Sequence, residues 1–114
     1  MGLVRRVANM RYAVRGCLLA LREEPNVLLE ILGGLVLLTI ALIRGITATA
    51  LTLLVLALGM LIAAELFNSA VERLADRVQP ERDPAIGAIK DIASGAVFVV
   101  GLAGFVAWVM LVFR

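Results

Sequence analysis

Three long apolar runs dominate this chain of 114 residues. They cover residues 27–43, 46–71 and 92–113, and each is close to the roughly 20 residues that a helix needs to cross a bilayer. Hydrophobic residues make up 62% of the sequence, well above the roughly 45–50% of ordinary soluble domains. The sequence therefore predicts one all-α membrane domain over residues 1–114, with three transmembrane helices and no separate soluble domain.

The segment before the first apolar run predicts a helix that lies on the membrane surface. Residues 1–25 carry apolar side chains at helical spacing with arginines between them. This pattern is typical of basic amphipathic helices that bind anionic membrane faces. The arginines of this segment are Arg5, Arg6, Arg11, Arg15 and Arg22.

The basic residues predict how the spans are oriented. Nine of the eleven lysines and arginines lie in residues 1–25 or in the polar stretch 72–91. We expect that stretch to be a loop between the second and third spans, because it contains Pro80 and Pro84. The positive-inside rule then predicts that the N-terminus and the 72–91 loop are cytoplasmic and that the C-terminus lies outside.

A stripe of polar residues interrupts the end of the second apolar run. Glu65, Asn68, Ser69, Glu72 and Asp76 have the spacing i, i+3, i+4, i+7 and i+11, which places them on one face of an α-helix. An acidic side chain inside a lipid span costs roughly 2.5–3.5 kcal/mol on insertion scales. The stripe is therefore the first candidate for a functional site.

The residue types that the sequence lacks exclude several kinds of catalytic and metal site. It contains no histidine, and Cys17 is its only cysteine. This composition excludes histidine- or cysteine-based zinc sites, an intramolecular disulfide and Ser-His-Asp catalysis. The sequence has no P-loop and no HRD or DFG triplet of protein kinases. Carboxylates, lysine and arginine must therefore carry any reaction.

The charged residues near the polar ends of the spans suit phosphoryl transfer. Carboxylate oxygens from Glu24 and Glu72, completed by water and phosphate, are suited to Mg²⁺. Lys90 beside Asp91 could bind the phosphates of a nucleotide that approaches from the cytosol. Glu65 lies deeper, where it could accept a proton from a lipid hydroxyl.

Two other interpretations fit the same residues. In the simpler one, the charges only solvate helix ends and pair with one another, as Asp76 could pair with Arg73 or Arg77. In the other, rings of Glu65 and Glu30 in an oligomer form a non-enzymatic assembly that conducts protons or cations. Spacing alone does not decide among the three.

Longer motifs resemble the prokaryotic diacylglycerol kinase family. The segment ELFNSAVERLADRV at 65–78, followed by IKDIASGAV at 89–97, is similar to the family's signature, and RYAVRGCLLALREEPN at 11–26 resembles its surface helix. The resemblance covers essentially the whole chain. It implies a homotrimeric lipid kinase of the bacterial inner membrane with active sites shared between subunits. It also implies that Mg²⁺ and ATP are used and that there is no nucleic-acid partner.

The same resemblance implies a role for each site residue. Glu65 is expected to be the general base, and Glu24 and Glu72 to be the metal ligands. The residues expected to line the nucleotide site are Arg5, Tyr12, Asn68, Glu72, Asp83, Lys90 and Asp91. Those expected near the lipid substrate are Arg5, Glu30, Glu65, Ser94 and Trp108.

The match departs from the family's pattern in ways that concern the nucleotide and the substrate. Asp83 occupies a position where members of the family often carry histidine, which puts in question how this segment meets the nucleotide. The segments NSAVE and DRV resemble the diacylglycerol kinase branch, whereas Asn26 and Gly95 resemble the undecaprenol kinase branch. We therefore expect diacylglycerol to be converted to phosphatidic acid. The alternative is undecaprenol, which would give undecaprenyl phosphate.

Overall fold

Four helices account for almost all of the chain. The computed structural model describes residues 2–113, with helix α1 over Gly2–Glu23, α2 over Pro25–Ile43, α3 over Ala48–Val78 and α4 over Pro84–Val112. Residues 2–113 contain no strand. The last three helices are long and apolar enough to cross a membrane. The prediction of an all-α protein with one helix before three membrane spans is therefore confirmed.

Local sequence determines where the helices begin and end. Glu24 is extended, and Pro25 begins α2 because proline is tolerated in the first turn of a helix but not in its interior. Gly45 has a φ of +76°, a conformation that glycine adopts readily, and it allows the tight turn after α2. The Thr47 hydroxyl accepts a hydrogen bond from the backbone N–H of Ala50 at 3.1 Å and caps α3.

The polar stretch 72–91 is mostly helical, so the prediction of a loop over these residues is wrong. Helix α3 continues to Val78 and α4 begins at Pro84, which leaves only residues 79–83 outside a helix. Proline at the start of α4 initiates a helix rather than interrupting one. The polar residues therefore lie on helical faces, where their spacing fixes which of them are neighbours.

Helices α2, α3 and α4 form an antiparallel bundle with two different ends. At the turn end, defined by residues 41–54 and 108–113, Ala41, Leu54 and Val112 form a buried apolar cluster. The polar end comprises residues 20–30 and 65–95. It holds the α1–α2 junction, the polar stripe and the α3–α4 connection.

Glycines allow α2 and α4 to pack closely on α3. A Cβ atom added at Gly34 of α2 would overlap the side chain of Leu58, at 2.8 Å from its Cδ2 atom, and one added at Gly104 of α4 would lie 3.6 Å from Cβ of Ala57. Small residues at such positions let helix backbones approach each other in membranes. The register of α2 against α3 is therefore fixed close to Gly34.

Helix α1 stands apart from the bundle. Among its residues only Ala20 is buried, and large apolar side chains such as Leu3, Met10 and Leu18 are exposed. The molecule measures 49 × 43 × 22 Å, which is wider than three antiparallel helices of about 10 Å diameter each. We infer that α1 projects sideways from the polar end. Its exposed apolar face agrees with the amphipathic pattern of the sequence.

Candidate active site

The polar stripe of α3 faces the inside of the bundle. Glu65 is only 5% exposed and Ser69 is 8% exposed, while Asn68 and Glu72 are partly buried. Phe67, on another face of the same helix, is exposed. The stripe is therefore buried or partly buried from Glu65 to Glu72, while Asp76 at its end is exposed.

Glu30 of α2 meets Glu65 of α3 at the polar end. Their carboxyl groups lie against each other. Oε2 of Glu30 and Oδ1 of Asn68 are both buried without a hydrogen-bond donor among the described residues. A buried polar atom without a partner typically costs about 1–3 kcal/mol. Two acceptors beside Glu65 can therefore receive a hydrogen bond from a bound hydroxyl.

An apolar cavity of about 250 Å³ extends from Glu30 towards the turn end. It lies between α2, α3 and α4, with Glu30 and Trp108 among its lining residues. Gly34 and Gly104 also line it. An apolar cavity with a polar group at one end is suited to a ligand with an apolar chain and a polar head.

Trp108 is held in place between α4 and α2. Its indole N–H donates a hydrogen bond to the backbone carbonyl of Leu37 at 2.9 Å. Its ring also stacks on Phe105 at a centroid distance of 6.0 Å and meets the edge of Phe113 at 5.6 Å. Trp108, expected near the lipid, therefore forms a fixed part of the cavity wall.

Lys90 is bound to Asp76 across the α3–α4 contact. The ammonium nitrogen lies 2.5 Å from Oδ1 of Asp76. Since Asp76 follows Glu72 by one helical turn on α3, Lys90 lies beside the polar stripe. Asp91, the next residue, is exposed and makes no ion pair within residues 2–113.

Glu24 is paired with Arg73 rather than grouped with Glu72. The Nη2 atom of Arg73 lies 3.0 Å from Oε1 of Glu24 and 3.3 Å from Oε1 of Glu23. Arg73 points about 100° away from Glu72 around α3, because the two are adjacent in a helix. The described residues contain no cluster of three or more acidic, cysteine or histidine side chains that could hold a metal. Glu24, at the α1–α2 junction, and Glu72, on α3, therefore lie at the same end of the bundle but are not grouped into a metal site within residues 2–113.

Several other expected site residues are not brought to Glu65 by the single chain. Arg5 and Tyr12 are exposed on α1, and no hydrogen bond joins them to α3 or α4 in the described part of the chain. Ser94 is exposed on α4. The carboxylate of Asp83 caps α4, where it accepts the backbone N–H of Ala85 at 2.8 Å.

Comparison with known proteins explains why these features occur together. Residues 11–112 match the sequence model of a family described as prokaryotic diacylglycerol kinase. The chain belongs to this family. A diacylglycerol kinase of Haemophilus influenzae is 30% identical over 98 residues, which is 86% of this chain and 83% of that protein. A diacylglycerol kinase of Pseudomonas aeruginosa is 32% identical over 107 residues, which is 94% of this chain and 87% of that protein.

Membership in the prokaryotic diacylglycerol kinase family resolves the interpretations that the sequence left open. The chain is a membrane-bound lipid kinase, and a kinase of this family uses ATP as co-substrate. The resemblance inferred from the motifs is therefore confirmed, and an enzyme is favoured over a non-enzymatic ion-conducting assembly.

Sequence reasoning missed two contacts in this lipid kinase. Asp76 was expected to pair with Arg73 or Arg77, but it binds Lys90. The sequence signal that could have indicated this contact is that Asp76 shares the helical face of Glu65 and Glu72, and that face turns towards the helix that carries Lys90. No sequence signal indicated that Arg73 binds Glu24, because that contact depends on where the α1–α2 junction meets α3.

Proposed function

We propose that this lipid kinase transfers the γ-phosphoryl group of ATP to the primary hydroxyl of diacylglycerol, giving phosphatidic acid and ADP. The main support is the contact of the buried Glu65 with the partly buried Glu30, which lines an apolar cavity, together with two acceptor oxygens that lack a donor. Diacylglycerol has the two parts that such a site accommodates, namely apolar chains and one hydroxyl that can donate a hydrogen bond.

Glu65 is the proposed general base. The lipid hydroxyl oxygen attacks the γ-phosphorus in line, its proton passes to the Glu65 carboxylate, and the bond from the γ-phosphorus to the β–γ bridging oxygen breaks as ADP leaves. The hydroxyl has a single proton, which it donates to Glu65, while the Asn68 amide N–H can donate a hydrogen bond to the hydroxyl oxygen. Glu30 lines the adjoining cavity and is proposed to lie beside the lipid headgroup. These contacts would hold the hydroxyl in the orientation that the reaction needs.

The nucleotide is proposed to bind at the polar end, beside Lys90 and Glu72. Lys90 already lies against the polar stripe through Asp76, and its ammonium group can bind phosphate oxygens. We propose Asp91, Tyr12 and the segment at Asp83 as further contacts. The capping bond of Asp83 to α4 would limit that residue to the edge of the nucleotide site.

Mg²⁺ is compatible with the proposed ligands Glu24 and Glu72. Both are hard oxygen donors, and Mg²⁺ commonly uses only one or two protein carboxylates together with water and phosphate. The Glu24 carboxylate is partly exposed, and in the single chain its Oε1 atom binds the Arg73 guanidinium. The ion would offset negative charge on the transferred phosphoryl group when bound.

We propose a homotrimer in which neighbouring subunits complete each active site, because the single chain does not bring all of the expected site residues to Glu65. Arg5, Tyr12 and Ser94 are exposed, so a neighbouring copy could bring Arg5 and Ser94 to the lipid and Tyr12 to the nucleotide. Many large apolar side chains on all three spans are also exposed. They can be covered either by lipid or by other subunits.

The polar end is proposed to face the cytoplasm of a bacterial cell, with the turn end on the outer side of the inner membrane. Nine of the eleven basic residues lie at the polar end or on α1, and cytoplasmic segments of membrane proteins carry such an excess. This orientation would also give the nucleotide site access to cytosolic ATP.

A direct test is phosphate transfer from γ-labelled ATP to defined lipid acceptors. Purified protein in mixed micelles would receive dioleoylglycerol or undecaprenol at the same mole fraction, with a no-acceptor control. We expect labelled phosphatidic acid and at least about tenfold less labelled undecaprenyl phosphate, a difference of about 1.4 kcal/mol in transition-state binding. Preferential labelling of undecaprenol would overturn the substrate assignment.

Undecaprenol remains the second candidate because Asn26 and Gly95 resemble the undecaprenol kinase branch. A Cβ atom added at Gly95 would have no neighbouring atom within 4 Å, so substitution to alanine would not disturb packing within the chain. If Gly95 sets acceptor choice, Gly95→Ala should change the ratio of the two labelled products without changing the amount of folded protein.

A further inference from the structure

Arg73 makes the only ion pairs that join the α1–α2 junction to α3 within residues 2–113. Its Nε and Nη2 atoms donate to the same oxygen, Oε1 of Glu24, at 3.3 and 3.0 Å. The Nη2 atom also donates to Oε1 of Glu23 at 3.3 Å. One guanidinium group therefore holds two consecutive carboxylates.

Glu24 is well placed to exchange this partner for another cation. It is the single residue between α1 and α2, its backbone is extended, and Pro25 follows it. Its side chain is 25% exposed, against 46% for Arg73. The carboxylate can therefore reach solvent, while its backbone is fixed by the two helix ends.

The Arg73 guanidinium and a divalent cation cannot both bind Glu24 in the observed arrangement without repelling each other. The Nε and Nη2 atoms of Arg73 both donate to Oε1, so a metal ion on that oxygen would lie within a few ångströms of the guanidinium charge. Binding of a metal ion at Glu24 therefore requires Arg73 to move away or to share the carboxylate at an electrostatic cost.

We propose that Arg73 is an internal counter-ion that competes with the divalent cation for Glu24 and is displaced when the metal–nucleotide complex binds. This inference rests on the proposed metal role of Glu24. After displacement, Arg73 faces a triphosphate close by, and guanidinium groups bind phosphate oxygens well. Metal binding is consequently weak in the absence of nucleotide and stronger in its presence, with reciprocal coupling between the two ligands.

The test is Mn²⁺ binding, followed by electron paramagnetic resonance, to the full-length protein in lipid nanodiscs at low ionic strength. Arg73→Gln removes the competing charge. Arg77→Gln is the matched control, because Arg77 is exposed one turn further along α3 and makes no ion pair with the described residues. Both variants change the net charge equally.

We expect Arg73→Gln to bind nucleotide-free Mn²⁺ about three- to fivefold more tightly than the wild type, since the ion pair that it removes is exposed and therefore weak. Arg77→Gln should change the affinity less than twofold. Arg73→Lys, which retains the charge but loses the planar fork, should give an intermediate value. In a Glu24→Gln background, Arg73→Gln should have no further effect.

The outcomes separate this inference from the proposed function. If the wild type binds Mn²⁺ and Arg73→Gln binds it equally or more weakly, Arg73 does not compete for Glu24, and the metal role of Glu24 still stands. The same holds if Arg77→Gln strengthens binding as much as Arg73→Gln does. If no variant, Arg73→Gln included, binds Mn²⁺ with or without a non-hydrolysable ATP analogue, the metal assignment and the competition are both wrong.

Discussion

Replacing Gly34 with alanine should destabilise the bundle next to the carboxyl pair. The new Cβ atom would overlap Cδ1 of Leu58 and would lie 2.8 Å from Cδ2 and 3.1 Å from Cγ of the same side chain. Ordinary van der Waals contacts are about 3.4–4 Å, so either Leu58 or α2 must move by about 1 Å. Gly34 follows Glu30 by one helical turn, and a movement of α2 would therefore separate Glu30 from Glu65.

The expected cost follows from two opposing terms. Overpacking typically costs about 1–3 kcal/mol, while replacing glycine by alanine inside a helix gains about 0.5–1 kcal/mol. The free energy of unfolding should therefore fall by up to about 2.5 kcal/mol, measured by titration with sodium dodecyl sulfate in mixed micelles. Kinase turnover should fall about tenfold or more, because displacements of about 1 Å can cost up to about a hundredfold in rate.

Two variants test the physical reason for this effect. Gly33→Ala is the control, since no atom lies within 4 Å of its added Cβ. Leu58→Ala removes the clashing atoms, so Gly34→Ala should cost nothing in a Leu58→Ala background. Equal effects of Gly33→Ala and Gly34→Ala, or no rescue by Leu58→Ala, would show that the α2–α3 contact at Gly34 does not limit stability.

Three further substitutions test individual contacts. Asp76→Asn removes the carboxylate that holds Lys90. It should raise KM for ATP about two- to fivefold and change stability by less than about 1 kcal/mol. Unchanged ATP kinetics would contradict the idea that Asp76 positions Lys90. Trp108→Phe keeps an aromatic ring but loses the indole hydrogen bond to the Leu37 carbonyl, so the free energy of unfolding should fall by about 1 kcal/mol. Asp83→Ala should cost about 1 kcal/mol of stability through loss of the α4 cap. Asp83→Ser should retain most of that stability, and equal losses in the two Asp83 variants would argue against capping.

Much of the fold could be predicted from the sequence because bilayer physics acts on composition and periodicity. Long apolar runs indicated three spans, and the i, i+3, i+4 spacing of the stripe indicated the face of α3 that is buried at Glu65 and Ser69. The error over residues 72–91 arose because prolines suggested a loop. Pro84 instead occupies the first turn of a helix, where its missing N–H does no harm.

The contacts that build the site were less predictable, because they depend on how helices are positioned relative to each other. The pairing of Glu30 with Glu65 requires the α2–α3 register that Gly34 and Leu58 set. Sequence spacing specifies neighbours within one helix but not across two. The link from Arg73 to the α1–α2 junction depends in the same way on where α1 ends.

The most direct test of the proposed mechanism is the turnover of Glu65→Gln with γ-labelled ATP and dioleoylglycerol. Glutamine keeps the size and shape of the buried side chain but cannot accept the hydroxyl proton, and general-base catalysis is typically worth about 10²–10⁴-fold in rate. We expect turnover to fall at least about a hundredfold, while the variant still folds and still binds ATP. Turnover within a few-fold of the wild type would contradict the assignment of Glu65 as the base.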